Sequence, residues 1–285
     1  MPATASKLQR LSHSKEKAAA SAAAFFKGDD GLKLPLGRVL EEEMANRVLL
    51  SNVEHHDLKL ASRWGPEFGD SVNQMLIFPT EFEEAQREYP IFFRQDEQGE
   101  YHCVVLLGLD RGENLFLGED GWTTRYVPAV QRRGPFLIGV QEQASDDEVR
   151  RQPLIHVDLD DPRIGREEGE PLFLPHGGHA PALDRVSRAL KMLHTGADIQ
   201  RAMFAAFQDL ELVEKVTADV KLSDEQEYHL TSFHALNEEK FAGLDGAALD
   251  RLHRAGFLRL AVFVLSSLRN MGRLIDLKNR KLANA

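Results

Sequence analysis

The sequence predicts an α+β fold, with a mostly antiparallel β-meander in the N-terminal half and a mostly helical C-terminal half carrying a small hairpin. Three observations predict it. Between residues 70 and 160 the chain is cut into short apolar runs by clusters of Gly, Pro, Asp, Glu and Asn. Beyond residue 180 the apolar residues recur at three- and four-residue spacing. The strands come first and the helices after, so the strand–helix alternation of a parallel sheet is not the pattern.

The elements follow in chain order. Residues 1–31 read as a flexible, basic, Ala-rich arm closed by Gly28-Asp29-Asp30-Gly31, and residues 32–285 as a single domain, β-rich over 70–160 and helix-rich over 180–285. Val39, Leu40, Met44, Arg47 and Val48 predict a helix within 37–50. Val72 to Phe78 predicts a strand stopped by Pro79. Thr80-Glu81-Phe82-Glu83 fits a capping box, in which Thr80 and Glu83 satisfy each other's amides at the start of a short helix. Ile91 to Arg94 and Tyr101 to Leu109 predict a hairpin across the polar turn Asp96 to Glu100. Asn114 to Leu117, Trp122 to Val127, Phe136 to Val140 and Leu154 to Leu159 extend it to a sheet of five to seven strands.

Leu183, Val186, Leu190 and Leu193 then lie on one face of a helix that ends near Gly196. Ile199, Met203, Phe207 and Leu210 mark a second helix. Val213 to Leu222 and Tyr228 to Phe233 predict a hairpin around Asp224-Glu225. Leu244 to Ala255 is helical, with Gly256 suited to its C-terminus. A last helix is predicted over Phe257 to Lys281.

The chain has 285 residues, 42% hydrophobic and 28% charged, the balance of a globular protein able to bury a core. One cysteine excludes a disulfide scaffold and any multi-cysteine metal site. A net charge of −10 argues against a broad grip on nucleic acid. Charge is uneven: residues 1–28 and 266–285 each carry five Lys or Arg against one acidic residue, the pattern of solvated ends. The Ala-rich run Ala18 to Phe26 is too weakly apolar to predict a secretory signal, and Leu258 to Leu268 is too short to predict a membrane span. With the lone thiol, these features predict a cytoplasmic protein.

Several words in the meander stand out. Glu81-Phe82 is followed by Tyr89-Pro90-Ile91-Phe92-Phe93. Then come Leu106-Leu107-Gly108-Leu109 and Gly112-Glu113-Asn114-Leu115-Phe116-Leu117. Tyr126-Val127-Pro128-Ala129 and Arg132-Arg133-Gly134-Pro135-Phe136 follow, and after them Asp158-Leu159-Asp160-Asp161-Pro162-Arg163 and Gly169-Glu170-Pro171-Leu172-Phe173. Together and in this order, over roughly residues 47 to 280, they resemble the bacterial SapC family. The resemblance implies an association with surface-layer genes. It also implies gene company with outer-membrane TonB-dependent receptors, flavin-dependent halogenases and cupin-like proteins. It implies no enzymatic mechanism. The long basic arm departs from the usual family member.

The residues themselves offer no complete catalytic constellation. There is no Gly-x-Ser-x-Gly, no phosphate-cradling loop and no dinucleotide fingerprint, so no cofactor is expected. His156-Val157-Asp158 has the His-x-Asp spacing of a non-haem iron site, with His194, His229 or His234 as a distal ligand, and is the alternative, metalloenzyme reading. Asp158 in an Asp-rich turn is the structural one. His176-Gly177-Gly178-His179 and His55-His56-Asp57 read as polar loops. Cys103, among Val104, Val105 and Leu106, reads as a buried, inert thiol. The candidate binding group lies along the meander turns: Glu113, Asn114, Trp122, Tyr126, Arg132, Arg133, Asp158 and Arg163. Trp122 and Tyr126 share a face if their strand is regular, and aromatics with paired arginines anchor recognition surfaces. One of Arg132 and Arg133 is expected to pair inward with Glu113 or Asp158. The sequence therefore predicts an accessory protein that binds a protein partner or a small ligand.

Overall fold

The computed structural model describes residues 46–145, 148–223 and 226–284. Within them β1 (Arg47–Leu49), β2 (Lys59–Leu60) and β3 (Gln74–Ile77) precede α1 (Phe82–Ala85). β4 (Ile91–Gln95), β5 (Tyr101–Leu106), β6 (Leu117–Gly118) and β7 (Gly121–Trp122) lead to α2 (Ala129–Arg132). β8 (Phe136–Ser145), β9 (Glu148–Asp158), β10 (Ile164–Gly165) and β11 (Glu170–Pro171) lead to α3 (Pro181–Asp209). β12 (Val213–Ser223) and β13 (Gln226–Leu236) precede α4 (Glu238–Ala242), α5 (Gly246–Arg254), α6 (Phe257–Ser267) and α7 (Asn270–Ala283). The fold is α+β, strand-rich first and helical last, as predicted.

The single predicted meander is instead divided. A five-stranded antiparallel sheet runs β12-β13-β4-β5-β3, and a three-stranded sheet runs β1-β9-β8. Two short ladders, β10-β2-β11 and β6-β7, complete the strands. The late hairpin thus joins the early strands through His234 of β13 opposite Phe93 of β4. Its turn residues, Asp224 and Glu225, lie outside the described residues. So does the arm over 1–31, as does most of the helix predicted over 37–50. The end of that helix is corrected: residues 47–49 are strand β1, laid antiparallel on β9 with Arg47 opposite Asp158. The ladder supplies the backbone partners that a lone helical turn would lack.

In β4 and β5 the run Ile91-Phe92-Phe93 and the run Cys103 to Leu106 are buried without alternation. Successive strand residues point to opposite faces, so both faces of this sheet are covered. α3 contributes Met203, Phe204 and Phe207 to that core, and α6 contributes Leu260, Ala261 and Val264. Phe93 meets Phe204 edge to face at 4.9 Å.

α3 is the common support of the molecule. Its N-terminal turns bury Leu183, Val186 and Leu190 against Phe136, Val157 and Leu172 of the second sheet's cluster. Ala189 and Leu193 pack with Leu76, Phe78 and Ala129. The two helices predicted on either side of Gly196 are therefore one helix of 29 residues, about 44 Å long. Gly196 is not a terminator. A Cβ there would lie 2.4 Å from Phe78 Cβ and 2.8 Å from Thr80 Oγ1. Glycine lets the 3₁₀ turn Pro79–Glu81 lie directly against the helix, and Thr80 Oγ1 donates to the Met192 carbonyl at 3.0 Å. The predicted capping box is displaced accordingly: Glu81, not Glu83, reaches back, accepting from the Phe78 amide at 2.9 Å.

The predicted last helix is two. α6 ends at Ser267, whose hydroxyl donates to the Val264 carbonyl at 2.6 Å and accepts from the Ile91 amide at 2.9 Å. Asn270, opening α7, donates to the carbonyls of Gln86 and Tyr89. The break thus satisfies backbone groups at the start of β4. α5 matches its predicted span, and Gly256 follows it with φ 77°.

The Gly196 contact gives a test of sign. In a free helix Gly→Ala stabilises by about 1 kcal/mol. Here the added methyl has no room, and overpacking costs roughly 1–3 kcal/mol. Gly196→Ala is expected to lower the unfolding free energy in a urea titration. A gain would show that the close approach is not real.

Candidate functional site

Two carboxylates are buried at the junction of β3, α2 and the segment between β7 and α2. Glu81 is 1% exposed. Its Oε1 accepts from the Tyr126 hydroxyl at 2.7 Å and the Ala129 amide at 2.7 Å, and its Oε2 accepts from the Phe78 amide. Burial pushes its pKa up against these donors. Tyr126 in turn accepts from Arg132 Nη2 at 3.0 Å, and the guanidinium lies 4.8 Å over the Tyr126 ring. Asp70 is fully buried. It accepts from the Gly65 amide at 2.7 Å and from Trp122 Nε1 at 2.6 Å, and burial pushes its pKa up as well.

Arg132, bonded to Tyr126, lines a cavity of about 280 Å³. Its walls are the segment after β2, the end of α2, Arg163, and the first two turns of α3. Five arginines line it: Arg63, Arg132, Arg163, Arg185 and Arg188. Leu60, Trp64 and Val186 supply apolar wall, and no Asp or Glu is among its described lining residues. Trp64 has room because Gly121, at φ 110°, has no Cβ; one there would lie 2.9 Å from the indole.

The arginines differ in their partners. Arg63 pairs with Glu168 and Arg185 with Glu170, both pairs exposed. Arg163 donates from Nε and Nη2 to Asp161 at 2.9 and 2.7 Å and lies 5.2 Å over the Phe68 ring. Arg132 reaches Glu81 through Tyr126. Arg188 is exposed and has no hydrogen-bond or ion-pair partner among the described residues.

Of the residues singled out in the sequence, Arg132 and Arg163 line this cavity, with Tyr126 behind Arg132. The others lie elsewhere. Trp122 is spent on Asp70, and its strand is too short to align it with Tyr126. Asn114 donates to the Asp70 carbonyl at 2.9 Å and accepts from the Phe116 amide. Arg133 Nη1 donates to the Phe136 carbonyl at 3.0 Å. Asp158 Oδ1 accepts from the amides of Asn46 and Asp160, the turn role expected of it. The acid that serves Arg132 is Glu81, in place of Glu113 or Asp158. Arg63, Trp64, Arg185, Arg188 and Glu81 itself were not foreseen as site residues. Arg185 and Arg188 flank the apolar stripe of α3 at three-residue spacing, which was the available signal.

His156 packs on Gly139, where a Cβ would approach its ring to 2.6 Å. Burial pushes its pKa down, with Arg47 adding to the effect. Among the described residues, neither His156 nor Asp158 joins a group of three possible metal ligands. The groups within such reach are Asp96, Glu100, His102 and Asp219, Glu227, His229, both on hairpins. Asp96 already serves the amides of Gln98 and Glu100 through Oδ1, and His102 through Oδ2. Cys103 is fully buried, and burial raises its thiol pKa well above the ordinary value.

The comparison with known families agrees with this core. A family model described as SapC matches residues 50–274. The chain belongs to the SapC family. No curated protein and no solved structure matches it.

Glu113, in the Gly-Glu-Asn word of this SapC chain, is held by α7. Its Oε1 accepts from Lys278 Nζ at 2.7 Å and Lys281 Nζ at 3.0 Å, and its Oε2 from the amides of Leu109 and Asp110. Lys278, 3% exposed, also pairs with Asp110. Burial by itself would raise the Glu113 carboxyl, but the two lysines hold it below its ordinary 4.5. Burial would lower Lys278, and Asp110 with Glu113 holds it up. A carboxyl with a depressed folded-state pKa contributes stability above its unfolded pKa and loses it as pH falls through the folded value. Glu113→Gln is therefore expected to cost roughly 3 kcal/mol at pH 7 and progressively less below about pH 4.5. Urea titrations at pH 7, 4 and 3 read this. An equal loss at all three would refute the ion pairing.

Proposed function

We propose that this SapC chain is a binding protein whose site is the arginine-lined cavity and whose ligand is a small anion. The carrying observation is the convergence of five arginines on one cavity without an acidic lining residue. Like charges brought together repel, and folding would disperse them unless a ligand or counter-ion offsets the cost. Guanidinium forks fix carboxylate or phosphate geometry, while the half-buried Leu60 and Trp64 offer apolar wall to the rest of the ligand. The family resemblance extends this to a cytoplasmic accessory role beside a surface-layer or outer-membrane receptor system. No helix among the described residues is long and apolar enough to cross a membrane.

The test uses two arginines of unequal structural weight. Arg188→Glu changes an exposed residue and is expected to alter stability by about half a kcal/mol or less. Arg132→Ala strips the cover from Tyr126 and Glu81 and is expected to cost about 2–3 kcal/mol. With a panel of small carboxylates and phosphates, thermal shift should register at least one anion that raises the melting temperature of the natural chain by several degrees. The same anion should leave Arg188→Glu unmoved. If no anion separates the natural chain from Arg188→Glu, the cavity is not the site.

A further inference from the structure

We infer that Asp70 is a positioning residue of the arginine-lined cavity: it holds both sides of the seat of Trp64 and so sets how well the site accepts the apolar part of an anion. Asp70 does not line the cavity itself. The hold on Trp64 follows from geometry alone, and the effect on binding rests on the anion-binding reading.

Trp64 is half-buried and forms part of the cavity wall. Its indole lies directly against Gly121. A Cβ at that glycine would come within 2.9 Å of Trp64 Cδ1 and 3.3 Å of its Cβ and Cγ, and φ there is 110°. Two stretches of backbone therefore place the indole. Residues 64–65 carry it, and residues 121–122 are what it rests on.

Asp70 binds both stretches. Its Oδ2 accepts from the Gly65 amide at 2.7 Å, and its own amide donates back to the Gly65 carbonyl at 3.3 Å. Its Oδ1 accepts from Trp122 Nε1 at 2.6 Å. Gly65 follows Trp64 in the chain, and Trp122 follows Gly121. One carboxylate thus ties the segment that carries the indole to the segment behind it. The tie is itself anchored: Asp70 is fully buried, and Asn114 Nδ2 donates to its carbonyl at 2.9 Å. Burial raises the Asp70 pKa, while Gly65, Trp122, Arg163 and Gln131 work against that rise. The last two also line the cavity.

The chemistry calls for a carboxylate, because two donors need two acceptor oxygens. Asparagine offers one acceptor and turns an N–H toward the second donor. None of these hydrogen bonds runs to α3, which carries Arg188. Capture of the charge and acceptance of the apolar part therefore depend on different residues.

The experiment uses the full chain. It has two tryptophans, so 5-fluorotryptophan labelling gives two fluorine resonances, which Trp64→Phe assigns. Asp70→Asn should shift or broaden the Trp64 resonance. Trp122→Phe breaks the Oδ1 bond alone and should do the same, which keeps the test open if Asp70→Asn does not fold. A Trp64 resonance unmoved in the folded variants overturns the inference. Isothermal titration then compares phosphate with phenyl phosphate and acetate with 3-phenylpropionate. In at least one pair the phenyl member should bind the natural chain about tenfold more tightly than its parent. Asp70→Asn and Trp64→Ala should each abolish most of that preference, and the double variant should lose no more than Trp64→Ala alone. If Asp70→Asn weakens both members equally, or the natural chain shows no preference for the phenyl member, the inference fails and the anion site stands. If none of the four anions binds the natural chain, the anion site fails and takes the selectivity role with it.

Discussion

A single buried carboxylate organises this protein's centre. Glu81 gathers the Phe78 amide at the end of β3, the Ala129 amide at the start of α2, and the Tyr126 hydroxyl between them. A hydrogen bond to a charged group stabilises more than a neutral one, and three of them work against the burial that raises the Glu81 pKa. What the arrangement fixes is register. With Phe78 held, the 3₁₀ turn presents Thr80 to α3, and with Ala129 held, α2 presents Arg132 to the cavity. Without Glu81, two buried amides and a hydroxyl would lose their acceptor.

The long helix then transmits that register outward. α3 can run straight past the turn only because residue 196 has no Cβ. Its first turns carry Arg185 and Arg188 to the cavity, while its last turns carry Phe204 and Phe207 into the main core. The two sheets share no strand, so their common support comes from this helix. The cavity sits where the helix leaves one cluster for the next, against the short β2 ladder and the end of α2.

Much of the fold was legible because it is local. β4, β5 and their turn could be read from an unbroken apolar run, an Asp at the turn and a Gly beyond it. The hairpin β12–β13 and helix α5 could be read in the same way. The misreadings share one cause. Gly196 looks like a helix end, and only Phe78, over a hundred residues away, shows why it is glycine. Thr80 and Glu83 have the spacing of a capping box, but the neighbouring helix claims Thr80 and leaves the cap to Glu81. The last helix shows no break in its apolar period, because Ser267 and Asn270 are polar for the sake of backbone groups at residues 86–91. The site was half legible. Arg132 and Arg163 stood out beside Gly and Pro. Their companions at 63, 185 and 188 form no pattern in sequence, and only the packing of α3 on the β2 segment brings them together. Glu113, Asn114 and Trp122 were chosen for the right reason, being polar groups that the fold uses, but the fold spends them internally.

The contrast between two charged clusters carries the functional argument furthest. Around Glu113 every charge is answered: two lysines and two amides meet one carboxylate, and Asp110 takes the remaining share of Lys278. That cluster closes on itself and locks α7 onto the loop after β5. Around the cavity the same chemistry stays open. Arg163 is held by Asp161 and Arg132 by Tyr126, so these two guanidiniums are oriented before any ligand arrives, while Arg63 and Arg185 keep exposed partners in Glu168 and Glu170. The two fixed side chains lose less entropy on binding than free ones would. The fifth, Arg188, is tied to nothing described. Under the proposed function, that exposed guanidinium is where an exchangeable anion would add its charge to a set already half fixed.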